Sequence, residues 1–227
     1  MFVMVAVRAP RIAETAFRKI TTPPELQALI LAEYANLSFK SVEGEVQFDP
    51  DYNARQHGAI SSSTDQGLDV GYAPVSNELF NRCYEILTPL IEAWAGCRLT
   101  RSWGYGIRSY GKGSILHLHR DRSDTHIISC IIHVDDRSDQ PWPLDFIDHD
   151  GTVHRVPFQI GETLFYESLC PHARLTPFEG DYYRNMYLHW RPENWMPEVC
   201  EGLKTKYASI EECVKEWEAP EVSNPGD

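Results

Sequence analysis

Residues 114–121 read Ser-Ile-Leu-His-Leu-His-Arg-Asp, and a long apolar run, Ile127-Ile-Ser-Cys-Ile-Ile-His-Val134, follows closely. In the first stretch leucines alternate with histidines, the two-residue period of a half-buried strand. The second is apolar almost throughout and reads as a further strand. Working outward, the same reading predicts strands at about 102–110, 114–120, 126–135, 144–148, 152–156, 161–168 and 182–190, with Asp150-Gly151 as a hairpin turn. Seven short strands separated by turns predict a sandwich or barrel. The fold class expected is mainly β with flanking helices (α+β).

Upstream of residue 101 the period becomes helical. Thr22-Pro23-Pro24-Glu25 is a helix start, and Leu26, Leu29, Ile30, Tyr34 and Leu37 recur at three- and four-residue steps. Ser76 caps a second helix, carrying Leu79, Phe80, Cys83, Leu87, Leu90, Ile91 and Trp94 on its apolar side. Pro89 interrupts this helix and Gly96 ends it. Residues 41–75 lack periodicity and read as a long loop with short strands. A weaker helix is expected near 209–217, and Glu218–Asp227 reads as a tail. We therefore expect one domain over residues 1–227: helical support and pocket loops in 1–100, a β-barrel core in 101–191 and a C-terminal extension in 192–227.

The composition narrows the partners. The 227 residues carry a formal net charge of -12, with 42% hydrophobic residues, so a sizeable core is available and wholesale disorder is excluded. An acidic chain without clustered Lys/Arg is a poor match for a polyanion, so no nucleic-acid partner is expected. No stretch approaches the ~18 apolar residues of a membrane span. Met1–Val7 is apolar but lacks the basic start of a signal peptide. Six cysteines without C-x-x-C spacing then read as reduced thiols of a cytoplasmic protein. The oligomeric state is not legible, and docking of Trp195, Tyr207 and Trp217 onto the chain's own barrel is expected over an interface.

The chemistry sits between Tyr110 and Trp190. Two imidazoles and one carboxylate form the ligand set of non-haem Fe(II), and His and Asp two apart on a strand point to the same side. The tripeptide His-x-Asp occurs twice, at His119/Asp121 and His133/Asp135, so it decides nothing alone. A third ligand must come from elsewhere, and Cys170-Pro171-His172-Ala173-Arg174 offers a distant histidine.

The order Ser109-Tyr110-Gly111-Lys112-Gly113-Ser114, His119-x-Asp121, the strand Ile127–Val134, Gly161-Glu162-Thr163-Leu164-Phe165-Tyr166, His172, Arg184 and Trp190 resembles the Fe(II)/2-oxoglutarate-dependent oxygenases, in their prolyl-4-hydroxylase-like branch. The resemblance covers about residues 105–191. It implies a double-stranded β-helix, a jelly-roll or cupin-like barrel, braced by the N-terminal helices. It implies Fe(II) held by His119, Asp121 and His172, with 2-oxoglutarate and dioxygen as co-substrates. The activity implied is hydroxylation of an unactivated C–H bond in a small molecule or an amino-acid or peptidyl side chain, releasing succinate and CO2. The carboxylate at Asp121 favours hydroxylation over halogenation, which in this superfamily uses a small residue there.

Further roles follow from the match. Strand alternation groups Arg184, Met186, Leu188 and Trp190 on one face, and we expect that face inward, with Arg184 clamping the far carboxylate of 2-oxoglutarate. Arg174 is the alternative cation. Tyr110 and His133 are expected to touch the co-substrate. His117 is expected in the site wall, Arg120 and Arg122 against a substrate carboxylate, and Trp190 beside the substrate. Two other readings stand: a cupin-like metal enzyme or isomerase not using 2-oxoglutarate, and a catalytically silent β-barrel binding module.

Overall fold

In the computed structural model, which describes residues 7–41, 60–62 and 70–220, the two-residue period becomes strands β5 (Leu99–Gly111), β6 (Ser114–His119), β7 (Ile128–Arg137), β8 (Leu144–Ile147), β9 (Val153–Val156), β10 (Glu162–Glu167) and β12 (Tyr182–Pro192). These correspond to the seven expected strands. Five more are present: β2 (Lys40–Ser41), β3 (Ile60–Ser62) and β4 (Val70–Ala73), in or at the edge of the stretch expected to hold short strands, and β1 (Phe17–Thr21) and β11 (His172–Arg174), which were not read from the sequence. Four of them have two to four residues, too few to show a period. β1, Phe-Arg-Lys-Ile-Thr, carries two adjacent charges because it borders the large sheet, paired only with β10. The pocket-rim loop expected over 41–75 falls mostly outside the described residues, as do Met1–Ala6 and most of the expected tail.

Among the described residues the α-helices are α1 (Pro24–Tyr34), α2 (Asn77–Ala95) and α3 (Ile210–Glu218). The Ser76 hydroxyl accepts from the Leu79 N–H at 3.1 Å, satisfying a donor that the first turn of α2 leaves free. Gly96 ends the helix at φ +72°, a conformation costly for a side-chain-bearing residue.

Among the described residues the strands form two antiparallel sheets, a large one ordered β1-β10-β7-β12-β5-β4-β2 and a small one ordered β3-β6-β11-β8-β9. Strand β7 lies inside the large sheet, which explains the largely apolar run from Ile128 to Val134. Ile128, Cys130 and Ile132 pack outward against Leu26 and Ile30 of α1 and Leu79, Cys83, Leu87 and Ile91 of α2. Ile131 points inward to Leu144, Phe146 and Phe158 beside the small sheet. On the far side, Leu118, Ile147 and Ala173 of the small sheet are covered by Tyr207 and Cys213 of the C-terminal segment. The result is the jelly roll expected, with helices on one side and a C-terminal cover on the other. All six cysteines are free thiols. Among the described residues no helix is long and apolar enough to cross a membrane.

Leu87 is fully buried where α2 meets the large sheet. Leu87→Ala is expected to destabilise the fold by about 2–5 kcal/mol, through lost transfer energy plus the cavity left behind. Urea denaturation followed by circular dichroism checks this; a loss under 1 kcal/mol would show that the helix layer contributes little.

Candidate metal centre and its cavity

The pairing of β6 with β11 places His172 directly opposite His119. The chain continues extended past His119, so Asp121 returns to the same side while Arg120 turns away. His119 Nε2 lies 3.6 Å from Asp121 Oδ1, and His172 Nε2 lies 3.8 Å from the same oxygen. The three ligand atoms fall within 4.8 Å of one another. Two donors each about 2.1 Å from a shared ion can be no more than about 4.2 Å apart, and both measured separations fall inside that limit.

The tautomers suit a cation as well. His119 Nδ1 lies 2.7 Å from the carbonyl of His117, and His172 Nδ1 lies 3.0 Å from that of Cys170. A carbonyl only accepts, so both rings donate through Nδ1 and turn an Nε2 lone pair toward Asp121. Burial, reinforced by His119, pushes the His172 imidazole down to about 4. Burial would raise the Asp121 carboxyl, but the imidazoles of His172 and His119 outweigh it and hold it well below the usual carboxylate range. A neutral His172 imidazole beside an ionised Asp121 carboxylate is the protonation state that metal binding needs. The hydroxyl of Tyr166 reaches Asp121 Oδ2 at 3.5 Å.

These residues edge a cavity of about 140 Å³ between the sheets. Arg174, two residues past His172, lies in its wall at 1% exposure. The guanidinium is stacked among Trp142, Phe158 and Tyr183, 4.6, 5.1 and 4.7 Å from their ring centres, and donates to the Trp142 carbonyl. Among the described residues no carboxylate side chain pairs with it. Tyr110 is in the same wall, its hydroxyl 3.0 Å from that of Tyr187. Another part of the lining carries Tyr105, His126, His189, Arg108 and Arg122.

No protein-family model matches the chain, and no curated protein matches its sequence. Solved structures do. HygX from Streptomyces hygroscopicus, with nickel and 2-oxoglutarate bound, matches at TM-score 0.52 and 12% identity over 79% of this chain and 84% of that one. An oxidoreductase of the 2OG-Fe(II) oxygenase family from Burkholderia pseudomallei matches at 0.53 and 11%, covering 80% and 87%. A prolyl hydroxylase from Trichoplax adhaerens, in complex with a hypoxia inducible factor oxygen degradation domain peptide fragment, matches at 0.51 and 13%, covering 84% and 89%. The chain has the 2-oxoglutarate/Fe(II) oxygenase fold.

Within that oxygenase fold several expected residues lie elsewhere. Arg184 does not face the cavity. Met186, Leu188 and Trp190, its partners in alternation, pack outward against α2, and the inward residues of β12 are Tyr183, Asn185, Tyr187 and His189. Arg184 instead donates to Ser109 Oγ and the Tyr34 hydroxyl, over the rings of Phe39 and Tyr182. Trp190 shares the outward face, its indole N–H bonded to Thr88 Oγ1 at 3.0 Å. His133 is buried beneath Tyr183, with Nδ1 at 2.9 Å from Asn185 and Nε2 at 2.7 Å from Asp136, so neither nitrogen is left for a co-substrate. The His117 side chain is exposed; its carbonyl is the part that serves the site. Arg120 points away and is held by the C-terminal segment. Arg122 stands at the lining, with its guanidinium forked onto Asp124 at 3.0 and 2.6 Å.

Sequence reasoning missed Tyr105, His126 and His189. The His126 and His189 rings lie tilted against each other with centres 3.8 Å apart, and His189 Nδ1 lies 2.5 Å from Ser129 Oγ. Burial lowers the proton affinity of both. Inward alternation opposite the aliphatic face of β12 was the signal that could have found His189.

His172→Ala and Asp121→Ala each delete one of the three converging atoms. Calorimetric titration with Mn(II) is expected to show a loss exceeding the roughly 10–100-fold typical of changes to residues behind a metal's ligands. Undiminished Mn(II) binding by either variant would remove it from the centre.

Proposed function

We propose that the protein is an Fe(II)- and 2-oxoglutarate-dependent oxygenase that hydroxylates an unactivated C–H bond of a small molecule or an amino-acid side chain, with release of succinate and CO2. The observation that supports this best is the convergence of His119 Nε2, Asp121 Oδ1 and His172 Nε2 on a cavity that also holds a buried guanidinium with no carboxylate partner among the described residues. Bound by those three atoms, Fe(II) would supply the chemistry that couples dioxygen to decarboxylation of 2-oxoglutarate and oxidation of the substrate C–H bond.

The remaining work falls to the chain. A buried cation without a counter-ion is expensive, and an incoming carboxylate removes that cost. Arg174 therefore takes the far carboxylate of 2-oxoglutarate, as a planar fork suited to it. Trp142, Phe158 and Tyr183 exclude water around the pair and strengthen it. Tyr110 and Tyr187 present hydroxyls along the way from Arg174 to the metal ligands. His117 and Cys170 fix the two imidazoles through their carbonyls, and Tyr166 restrains the free oxygen of Asp121. The primary substrate is left the part of the lining that carries Tyr105, His126, His189 and Arg122. Three hydrogen-bonding rings favour a polar substrate there over an aliphatic one.

The purified protein with fresh Fe(II) is expected to convert 2-oxoglutarate to succinate, slowly without substrate. Arg174→Ala is expected to weaken 2-oxoglutarate binding by on the order of 2–5 kcal/mol, the cost of losing a buried charge-paired contact, while Arg184→Ala leaves it unchanged. Normal 2-oxoglutarate binding by Arg174→Ala would sink the clamp assignment. Absence of both 2-oxoglutarate binding and turnover would sink the oxygenase reading.

A further inference from the structure

Each candidate ligand has a chain neighbour facing away from the cavity, and all of these neighbours meet the same piece of chain. Leu118 precedes His119, Arg120 lies between His119 and Asp121, and Ala173 follows His172. Leu118 and Ala173 pack with Tyr207 and Cys213 of the C-terminal segment. The main chain pairs there too: Arg120 N–H donates to Thr205 O at 2.8 Å, and Tyr207 N–H donates to Leu118 O at 3.2 Å.

Arg120 concentrates these links. At 5% exposure its guanidinium donates to the Leu169 carbonyl at 2.7 Å, the Lys204 carbonyl at 2.6 Å, the Tyr207 hydroxyl and Glu216 Oε2 at 2.8 Å. The Tyr207 hydroxyl donates in turn to Glu216 Oε1 at 2.6 Å, closing a triangle onto α3. Leu169 immediately precedes Cys170, whose carbonyl orients His172. One side chain thus spans the segment bearing His119 and Asp121, the segment leading to His172, and the C-terminal helix. Among the described residues its only carboxylate partner is Glu216.

We propose that Arg120, pinned by Glu216, is a positioning residue for the metal centre: the C-terminal segment holds the two ligand-bearing segments at the separation a divalent cation needs. The inference rests on the metal assignment made above. Removing the Glu216 charge leaves a buried guanidinium without a counter-ion, and the arginine must shift to find water or a new partner. Either movement pulls on both ligand segments at once, because Arg120 is bonded to both. The helix covers the outer face of the strands that carry the ligands, so this strain acts at the ligands and spares the core beneath α1 and α2.

The test is Mn(II) titration of the full chain carrying Glu216→Ala, with the Co(II) visible absorption spectrum as the geometric readout and thermal melting as the control for folding. Mn(II) affinity is expected to fall about tenfold or more, with an altered Co(II) spectrum, in protein that still folds. Glu216→Gln keeps the side-chain volume and an acceptor, so it is expected between Glu216→Ala and the unsubstituted protein. It carries the comparison by itself if Glu216→Ala does not fold. Either variant melting at lower temperature with unchanged Mn(II) affinity and Co(II) spectrum would overturn the proposal and leave Arg120 a purely structural residue. Failure of the unsubstituted protein to bind Mn(II), or binding undiminished by His172→Ala, would overturn the metal assignment itself.

Discussion

The register of β6 on β11 is the constraint from which the site follows. Setting His172 opposite His119 fixes two imidazoles on neighbouring strands of the small sheet, a few ångströms apart, before any ligand is present. A slip of one residue would turn one of them to the opposite face, where Tyr207 and Cys213 lie. Arg174 stands two residues further along β11, past a shift in the register against β6, and faces the cavity again. Metal ligand and candidate anion clamp thus share a three-residue strand, and their separation is set by backbone geometry.

That arrangement divides the labour between the sheets. The large sheet carries the hydrophobic load, with α1 and α2 against its outer face, and it contributes the aromatic and imidazole residues Tyr110, Tyr166, Tyr187 and His189 from its inner face. The small sheet supplies the two ligand imidazoles and Arg174, with Asp121 just past the end of β6. Both carbonyls that orient the ligand imidazoles come from backbone two residues upstream, so the tautomers depend on main-chain conformation at His117 and Cys170 and on no additional side chain.

Much of this was legible because strands announce themselves through alternation. Seven strands could be read, along with both long helices and the His119/Asp121/His172 spacing. What alternation does not reveal is which of two apolar-looking faces meets a helix and which meets a cavity. On β12 the aliphatic face, Met186, Leu188 and Trp190, was read as the inside and Arg184 with it; those residues are the outside, under α2. The inner face is the mixed one, Tyr183, Asn185, Tyr187 and His189. A cavity built to hold charged and polar groups wants hydroxyls, amides and imidazoles, while a helix-covered face wants methyls. Arg120 was misread for a related reason. Between two ligands it looks like part of the site, yet the same alternation that aligns its neighbours turns it outward. His133 satisfied the tripeptide and lay on the correct strand, but Asp136 and Asn185 already occupy its nitrogens.

The aromatic box around Arg174 carries a consequence for selectivity. Trp142, Phe158 and Tyr183 are rigid rings with little rotamer freedom, and they close the cavity behind the guanidinium as a fixed wall. A molecule gripping Arg174 with one end and the metal ligands with the other must match a set length, since neither the strand nor the wall can yield. On the proposed clamp, an acid one carbon shorter than 2-oxoglutarate would leave a charge unpaired, and the fixed wall behind Arg174 would discriminate against a longer one.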